Sequence, residues 1–341
     1  VLSRTVDLSS RYMGFNWLDP VVGKGDTPEQ QVRNRKLRQA LSIAIDWDEF
    51  NRIFPKAAGE VAQGPLPGGV FGSRHGSAEG LNAITHRWVN GQAVRRPIED
   101  AKKLLAEAGY PDGRDARSGK PLVLNYDVGA ANTPDSKANL DWTAKQFAKL
   151  GIQLEIRATD YNQFQDKVRR GKHQIFTWGW LADYPDAENF LFLLYGPGAK
   201  SVHDGENAAN YQNAEYDRLY STLRFMDDGP AKQAVIDQMV RILQEDAPWS
   251  WAYFPYSSGA YHRWVRNGKP SIMVRDQAQY YRLDTAERSR SLQDWNHPVY
   301  WPVLAVLAVL AAMAWGAVKI LRARDQQTAL PRPVSSPQRG R

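Results

Sequence analysis

Apolar side chains recur with helical spacing in several parts of the chain. In residues 26–54, leucine, alanine and isoleucine return every three or four positions while arginine, lysine and glutamine fill the others, which predicts one amphipathic helix. Residues 96–113 predict another helix, with Pro97 near its start and Gly109 at its end. Residues 64–72, "GPLPGGVFG", lie between the two and predict a loop, because proline and glycine disfavour both regular structures.

The middle of the chain has a repeating order of strand and helix. Alternating apolar and polar positions predict strands, and longer amphipathic segments predict helices between them. The β-α-β order with short connections favours an α/β fold with a parallel sheet, and such sheets bind ligands at the C-terminal ends of their strands. The predicted strands are residues 10–18, 121–128, 152–160 and 173–180, and the helices between them are residues 136–151 and 161–171.

The C-terminal segment is apolar enough to cross a membrane. Residues 298–318 contain no charged side chain and would form a helix about 31 Å long, close to the thickness of a hydrocarbon core. We therefore predict a transmembrane helix over 298–321 and a cytoplasmic basic tail over 322–341, with the globular part outside the cytoplasm. The flanking residues that indicate this orientation are Trp295, Tyr300, Trp301, Lys319, Arg322 and Arg324.

Charge and composition exclude several classes of function. The net charge is +7, but six Lys or Arg and one Asp after residue 318 account for +5 of it, which leaves +2 for the first 318 residues. No basic stripe remains for a phosphate backbone, so we expect no nucleic-acid partner. The absence of Cys excludes disulfides, Cys-ligated zinc and a thiol nucleophile, and the six His are scattered. We expect no metal and no cofactor.

Two carboxylates follow the strand predicted for 173–180, in the segment "TWGWLADYPDAENFLFLLYG". A carboxylate beside aromatic side chains, in a cleft that excludes water, attracts a cation more strongly than one in bulk solvent. Either carboxylate could instead stabilise the turn or cap the next helix. We predict ligand binding for Asp183 and capping for Asp186, and we predict that Asp46 orders the turn after "LSIAI".

The same two carboxylates could also be read as the acid and base of a hydrolase. Such enzymes hold the pair about 5 to 9.5 Å apart around the scissile bond, a distance that Asp183 and Asp186 could reach. No G-x-S-x-G, H-E-x-x-H or P-loop motif occurs in the chain. The aromatic neighbours favour binding, so we predict that the protein is not an enzyme.

Six segments in order resemble a known family, the extracytoplasmic solute-binding proteins of family 5, which serve ABC importers of the dipeptide, oligopeptide and nickel class. The resemblance covers roughly residues 10–285. The segments are "LRQALSIAIDWDEF", "GPLPGGVFG", "EDAKKLLAEAGYPDG", "GIQLEIRATDYNQF", "GKHQIFTWGWLADYPDAENFL" and "NAANYQNAEYDRLY".

The resemblance implies a periplasmic-binding-protein-like fold of type II, in which two lobes close over a ligand. It implies one nearly complete α/β lobe over 12–253, preceded by a crossover from the other lobe over 1–11 and followed by a return segment of that lobe over 254–290. The chain opens without Met or an apolar export signal. We therefore expect a C-terminal fragment of a longer protein.

The resemblance also implies roles for individual residues. Asp183 would pair with the α-ammonium group of a peptide, Trp180 would pack on the ligand, and the main chain near Leu181 would pair with the ligand backbone. Trp178 shares a strand face with Trp180, a face that could meet either the ligand or the core. Tyr253 lies near the second crossover, where relatives present aromatic side chains to the cleft.

The implied partners are a small peptide or other small-molecule solute, ABC permease and ATPase subunits, and the membrane through the C-terminal helix. A membrane-tethered sensor would have the same fold and is the alternative.

Overall fold

The structure is a computed structural model, and it describes residues 2–55, 59–129, 132–268 and 277–328. These residues form two compact units. The first contains the chain up to Tyr261 and the described part of Gly268–Tyr280; the second contains His262–Asn267 and the chain from Tyr281 onward. The lobe boundaries predicted at 12–253 and 254–290 stay predictions. Strand β9 (Trp249–Ala260) runs through the second boundary unbroken.

The first unit contains nine strands and nine α-helices among its described residues. The strands are β1 (Leu2–Val6), β2 (Ser9–Phe15), β3 (Gly59–Val61), β4 (His86–Val89), β5 (Gln92–Arg95), β6 (Val123–Gly129), β7 (Gln153–Thr159), β8 (Ile175–Leu181) and β9. The helices are α1 (Pro28–Ala44), α2 (Trp47–Ile53), α3 (Ile98–Glu107), α4 (Pro134–Ala148), α5 (Tyr161–Arg169), α6 (Glu188–Leu191), α7 (Lys200–His203), α8 (Ala214–Leu223) and α9 (Pro230–Asp246).

The main sheet has the strand order β1-β9-β2-β8-β6-β7, with β3 paired to β9. Strand β6 is parallel to both β7 and β8, as the β-α-β order predicts, and helices α4 and α5 make the crossovers that parallel pairing requires. Strand β2 is antiparallel to its neighbours β8 and β9. The sheet is therefore mixed, and antiparallel strands complete the parallel part that the pattern predicts.

The single helix predicted over 26–54 is wrong, because the chain forms α1 and α2 with a break at Ile45 and Asp46. Ile45 is extended (φ −77°, ψ 106°), and the Asp46 side chain accepts a hydrogen bond of 2.8 Å from the backbone N–H of Glu49. A side chain that caps a new helix competes with continuation of the old one. The prediction that Asp46 orders the next turn is confirmed.

Helix α3 ends at the predicted glycine. Gly109 has φ +82°, and the backbone N–H of Tyr110 donates to the carbonyl of Leu105 at 3.0 Å. The left-handed residue and this backward hydrogen bond form the Schellman motif, which satisfies carbonyls that the helix end leaves free.

Each face of the main sheet is covered by a separate hydrophobic core. Tyr12, Phe176 and Trp249 face one core, which is completed by α5, α6, α8 and α9. Met13 and Ile175 face the other, which is completed by α1 to α4. Neighbouring residues of one strand thus enter different cores, as the two-residue period of a strand requires.

The second unit contains strands β10 (Val265–Arg266) and β11 (Arg282–Leu283), and helices α10 (Thr285–Trp295) and α11 (Trp301–Thr328). Within Trp301–Gln326 of α11, an 18-residue window reaches a mean hydropathy of 2.2, and none of that window is buried. By length and composition this helix could cross a membrane. It coincides with the segment in which the sequence predicts a span.

Candidate ligand-binding site

Strand pairing brings the predicted site residues to one edge of the main sheet. Leu181, at the C-terminal end of β8, pairs with Ser9 of β2, and Arg11 of β2 pairs with Tyr253 of β9. The end of β6 at Gly129 lies at the same edge, because β6 and β8 are parallel. This edge is where open α/β sheets bind ligands.

Asp183 is held in place by its neighbours but is not neutralised. Its backbone N–H donates to Oδ1 of the buried Asn189 at 2.9 Å, and its Oδ2 accepts a long hydrogen bond of 3.4 Å from Asn189 Nδ2. The Asp183 side chain is exposed. Among the described residues, no basic side chain forms an ion pair with it. A positioned, exposed and unpaired carboxylate remains available to a cation from outside the chain.

Asp186, three residues further, is neutralised within the protein. Its Oδ1 accepts from the backbone N–H of Glu188, the first residue of α6, at 2.8 Å. The N-cap residue is Ala187, without a side-chain cap hydrogen bond, so Asp186 stabilises the turn before α6 and the predicted capping is wrong. Its Oδ2 accepts from Lys232 Nζ at 2.8 Å, and that buried ammonium also donates to Asp228 at 2.8 Å. Burial alone would lower the pKa of Lys232, but the two carboxylates outweigh it and raise that pKa. Asp186 therefore has a structural role.

Trp178 and Trp180 lie on one face of β8 and are both half-buried. The Trp180 indole donates from Nε1 to Asn189 Oδ1 at 3.1 Å, so it supports the same amide that positions Asp183. The Trp178 ring packs against Phe164, with 5.2 Å between ring centroids. Both indoles therefore contribute to packing in the first core, and direct contact with a ligand stays a prediction for each.

Leu181 exposes its side chain, at 59% of the full area, and its strand has an unpaired edge. Strand β6 pairs with β8 only at Ile175 and Phe176, so no described strand covers that side of β8 between Thr177 and Leu181. Backbone groups on such an edge can pair with an extended peptide. The predicted main-chain role of Leu181 is compatible with this geometry.

Tyr253 lies on the opposite face of the sheet from Trp178 and Trp180. The pairing register shifts between Arg11, which opposes Tyr253, and Tyr12, which opposes Trp251, so Ala252 is an extra residue in β9. This bulge turns the Tyr253 ring toward α2, where it stacks on Phe50 with 5.6 Å between centroids. Without the bulge, strict alternation would have placed Tyr253 on the same face of the sheet as Trp249 and Trp251.

A cavity of about 250 Å³ lies beside Tyr253 on this second face. Its lining includes the aromatic rings of Trp47, Phe50 and Tyr126, and the hydroxyl groups of Ser136 and Thr177. Burial raises the pKa of Tyr126 to about 12, although its hydrogen bond to Thr177 acts in the opposite direction. Burial also raises the pKa of Tyr253. Both phenols are therefore neutral at physiological pH.

Arg11 also lines this cavity, and sequence reasoning missed it. Its side chain crosses the neighbouring strand at Gly179, where Nη1 occupies the position that a Cβ of residue 179 would need. The signal available in the sequence was a lone cation within an aromatic strand, together with a glycine between two tryptophans. Only the pairing of β2 with β8 shows that the two features belong together.

Comparison with known proteins gives the class of this chain. The model of the family described as "Bacterial extracellular solute-binding proteins, family 5 Middle" matches residues 3–201, and the chain belongs to this family. The expected resemblance is thereby confirmed.

Individual relatives are distant in sequence. The chain is similar to Heme-binding protein A of Haemophilus influenzae (25% identity over 71% of this chain and 38% of that protein). It is also similar to the Periplasmic oligopeptide-binding protein OppA of Escherichia coli (24% identity, 67% and 38%). The chain thus spans less than two fifths of the length of these relatives.

Solved structures confirm the α/β fold. The oligopeptide-binding protein AppA from Bacillus subtilis, in complex with a nonapeptide, matches with a TM-score of 0.61 at 20% identity, over 83% of this chain and 52% of that one. The periplasmic binding protein DppA from Helicobacter pylori, in complex with the peptide STSA, matches with a TM-score of 0.60 at 20% identity, over 76% and 44%. The named relatives and structures are binding proteins.

Proposed function

We propose that the protein is the solute-binding subunit of an ABC importer, which captures peptides or a similar amine-bearing solute outside the cytoplasm and delivers them to a membrane permease. Family membership and the peptide-binding relatives support this proposal. The observation that carries it is the exposed Asp183 carboxylate, which is fixed by Asn189 but has no ion-pair partner among the described residues.

The mechanism is capture of the ligand by closure of two lobes. The α-ammonium group of a peptide pairs with Asp183, its backbone adds to the free edge of β8 near Leu181, and Trp180 packs beside it. Closure removes water, so the charge-assisted hydrogen bond becomes stronger, and ligand binding shifts the equilibrium toward the closed state. ATP hydrolysis takes place in partner subunits.

We assign no catalytic role to the two carboxylates. A hydrolase needs one of them free as a base or nucleophile and the other as an acid. Asp186 is hydrogen-bonded to Lys232 and to the start of α6, and this pairing disfavours such a role.

The decisive experiment is calorimetry with trialanine on the full-length protein and on its Asp183→Asn variant. Loss of a desolvated charge pair should weaken binding by about 2 to 5 kcal/mol. Asp204→Asn is the matched control, because Asp204 is exposed and pairs with Arg169 of α5; its affinity should equal that of the wild type. Equal affinity of the Asp183→Asn variant and the wild type would refute ammonium pairing.

Helix α11 is proposed to anchor the protein as a single span, with the basic C-terminal segment from Arg322 onward in the cytoplasm. Protease added to the cytoplasmic side of sealed vesicles should then remove only the C-terminal tail. Digestion of the globular part from that side would contradict the orientation.

A further inference from the structure

The part of the second unit that precedes α11 is held together by two of its acidic residues. Glu287 of α10 accepts from Arg266 Nη2 at 2.7 Å and lies 3.2 Å from Arg263 Nε. Asp284 caps α10 by accepting from the backbone N–H of Glu287 at 3.0 Å, and it also pairs with Arg266 at 3.3 Å. The two carboxylates therefore connect the strand pair β10–β11 to the helix.

Aromatic rings make a second connection between the same elements. The imidazole of His262 stacks on the indole of Trp264, with 4.2 Å between ring centroids. Both rings lie against Trp295 at the end of α10, with centroid distances of 5.4 Å from His262 and 5.2 Å from Trp264. The strand pair and α10 are thus packed together, so the exposed side chains that they carry belong to one surface.

The charges on this surface are unbalanced. Arg282 of β11 and Arg288 and Arg290 of α10 are exposed, and no acidic side chain that the structure describes lies within ion-pair distance of any of them. Asp294 is the one exposed acid among the described residues from His262 to Tyr300. The acids of this part of the chain are mainly used in internal pairs, and its surplus of positive charge faces solvent.

The connection between α10 and α11 is short. Five residues, 296–300, separate the two helices, and fully extended they would cover about 20 Å. Arg288 and Arg290 lie in the last two turns of α10. The exposed rings of Tyr300 and Trp301 follow them, and such rings favour the membrane–water interface. If α11 crosses a membrane, the head groups of its lipids are within reach of these arginines.

We propose that the part of the second unit before α11 is a membrane-surface module, in which Arg282, Arg288 and Arg290 bind the phosphate groups of anionic lipids. The inference rests on the proposed anchoring by α11 and goes beyond it, because it assigns a lipid class and residues outside the span. A basic side chain close to an anionic membrane strengthens binding by about fivefold. The fork of a guanidinium also matches two phosphate oxygens.

The test is electron paramagnetic resonance on the full-length protein in phosphatidylcholine vesicles, with the globular part outside and spin-labelled lipid added to the outer leaflet. The measured quantity is the association of spin-labelled phosphatidylglycerol with the protein relative to that of spin-labelled phosphatidylcholine. The wild type should prefer phosphatidylglycerol by about fivefold or more at low salt, and 1 M salt should remove the preference.

Two triple variants test the assigned residues. Replacement of Arg282, Arg288 and Arg290 by Gln should reduce the preference to less than about twofold, whereas replacement of the same three by Lys should keep most of it. The matched control changes three exposed arginines of the first unit to Gln, which alters the net charge equally and should leave the preference unchanged. The control residues are Arg157, Arg169 and Arg218.

The outcomes separate this inference from the proposed function. A wild type without the preference, a preference that the Arg282/Arg288/Arg290→Gln variant keeps, or an equal loss in the control would overturn the inference and leave the anchor in place. Release of the protein from the vesicles by carbonate would refute the anchor and the inference together. If the glutamine variant fails to fold, the three single Arg→Gln variants decide, and an unchanged preference in all three overturns the assignment. Calorimetry with trialanine tests solute capture independently.

Discussion

Both ends of β8 have charged residues nearby. The charge at the N-terminal end is paired within the protein, and the charges at the C-terminal end are not. At the N-terminal end, Asp127 is 1% exposed and accepts hydrogen bonds from Lys167 Nζ and from the backbone N–H of Gln174. At the C-terminal end, the Asp183 carboxylate is exposed and the Arg11 guanidinium lies at a cavity, and neither has an ion-pair partner among the described residues.

The difference shows how to separate structural charges from candidate functional ones. A buried charge must be paired, because an uncompensated ion in the interior costs several kcal/mol, so Asp127 belongs to the fold. An exposed charge costs the fold little when it is unpaired, so its pairing energy is available for a ligand. Residue type and spacing alone do not distinguish the two cases.

The largest expected effect on stability is at the buried end. Asp127→Asn should lower the free energy of unfolding by about 3 to 5 kcal/mol, because it leaves Lys167 without its carboxylate. Asp183→Asn, the same change at the other end of the strand, should alter it by less than about 0.5 kcal/mol. Urea unfolding followed by tryptophan fluorescence measures both. Similar losses of unfolding free energy for the two variants would contradict the distinction between a buried structural charge and an exposed charge that the fold does not need.

His173, two residues before β8, should add a pH dependence at the same end. Burial lowers its pKa from 6.5 to about 4, although its hydrogen bond to the carbonyl of Ala208 opposes the shift. Between these values the unfolded chain binds a proton that the folded chain does not. The free energy of unfolding should therefore fall by about 3 kcal/mol as the pH decreases from about 6.5 to about 4, with no contribution from His173 above that range.

The His173→Gln variant isolates this contribution, because glutamine can donate to the same carbonyl but does not titrate. Its stability should depend less on pH than that of the wild type over this interval, when both are measured by urea unfolding. If the free energy of unfolding depended on pH equally in the variant and the wild type, His173 would titrate normally in the folded protein.

A smaller effect is expected from Asp186, the neutralised carboxylate of the pair. Asp186→Ala should lower the free energy of unfolding by about 2 kcal/mol, since it removes a hydrogen bond to the backbone N–H of Glu188 and one charged hydrogen bond to Lys232. Once the variant is folded, its affinity for trialanine should be close to that of the wild type. The opposite pattern, intact stability with lost affinity, would transfer the ligand role from Asp183 to Asp186.

The smallest effect is expected from Leu181→Ala. The Leu181 side chain is 59% exposed and its proposed contact with the ligand is through the main chain, so stability and affinity should each change by less than about 0.5 kcal/mol. Calorimetry and urea unfolding test this. An affinity loss above about 1 kcal/mol would show that the side chain contacts the ligand.

Much of the fold could be predicted because it depends on neighbouring residues. Helix α3 ends at Gly109 through hydrogen bonds within one turn. The order β6, α4, β7, α5 and β8 follows from periodicity, and the crossovers then require parallel pairing. The break between α1 and α2 was missed because apolar spacing continues through it, while the cap at Asp46 overrides the spacing.

For the site, motif order and local chemistry were enough to predict the family and the segment that holds Asp183, because both can be read along the chain. Tertiary structure decided which carboxylate is neutralised, because Lys232 lies 46 residues from Asp186. It also decided the face on which Tyr253 lies, through a bulge in β9, and the position of Arg11 across Gly179. Ion pairs, cavities and strand register depend on segments that are distant in the chain, and local patterns do not encode which of these segments meet.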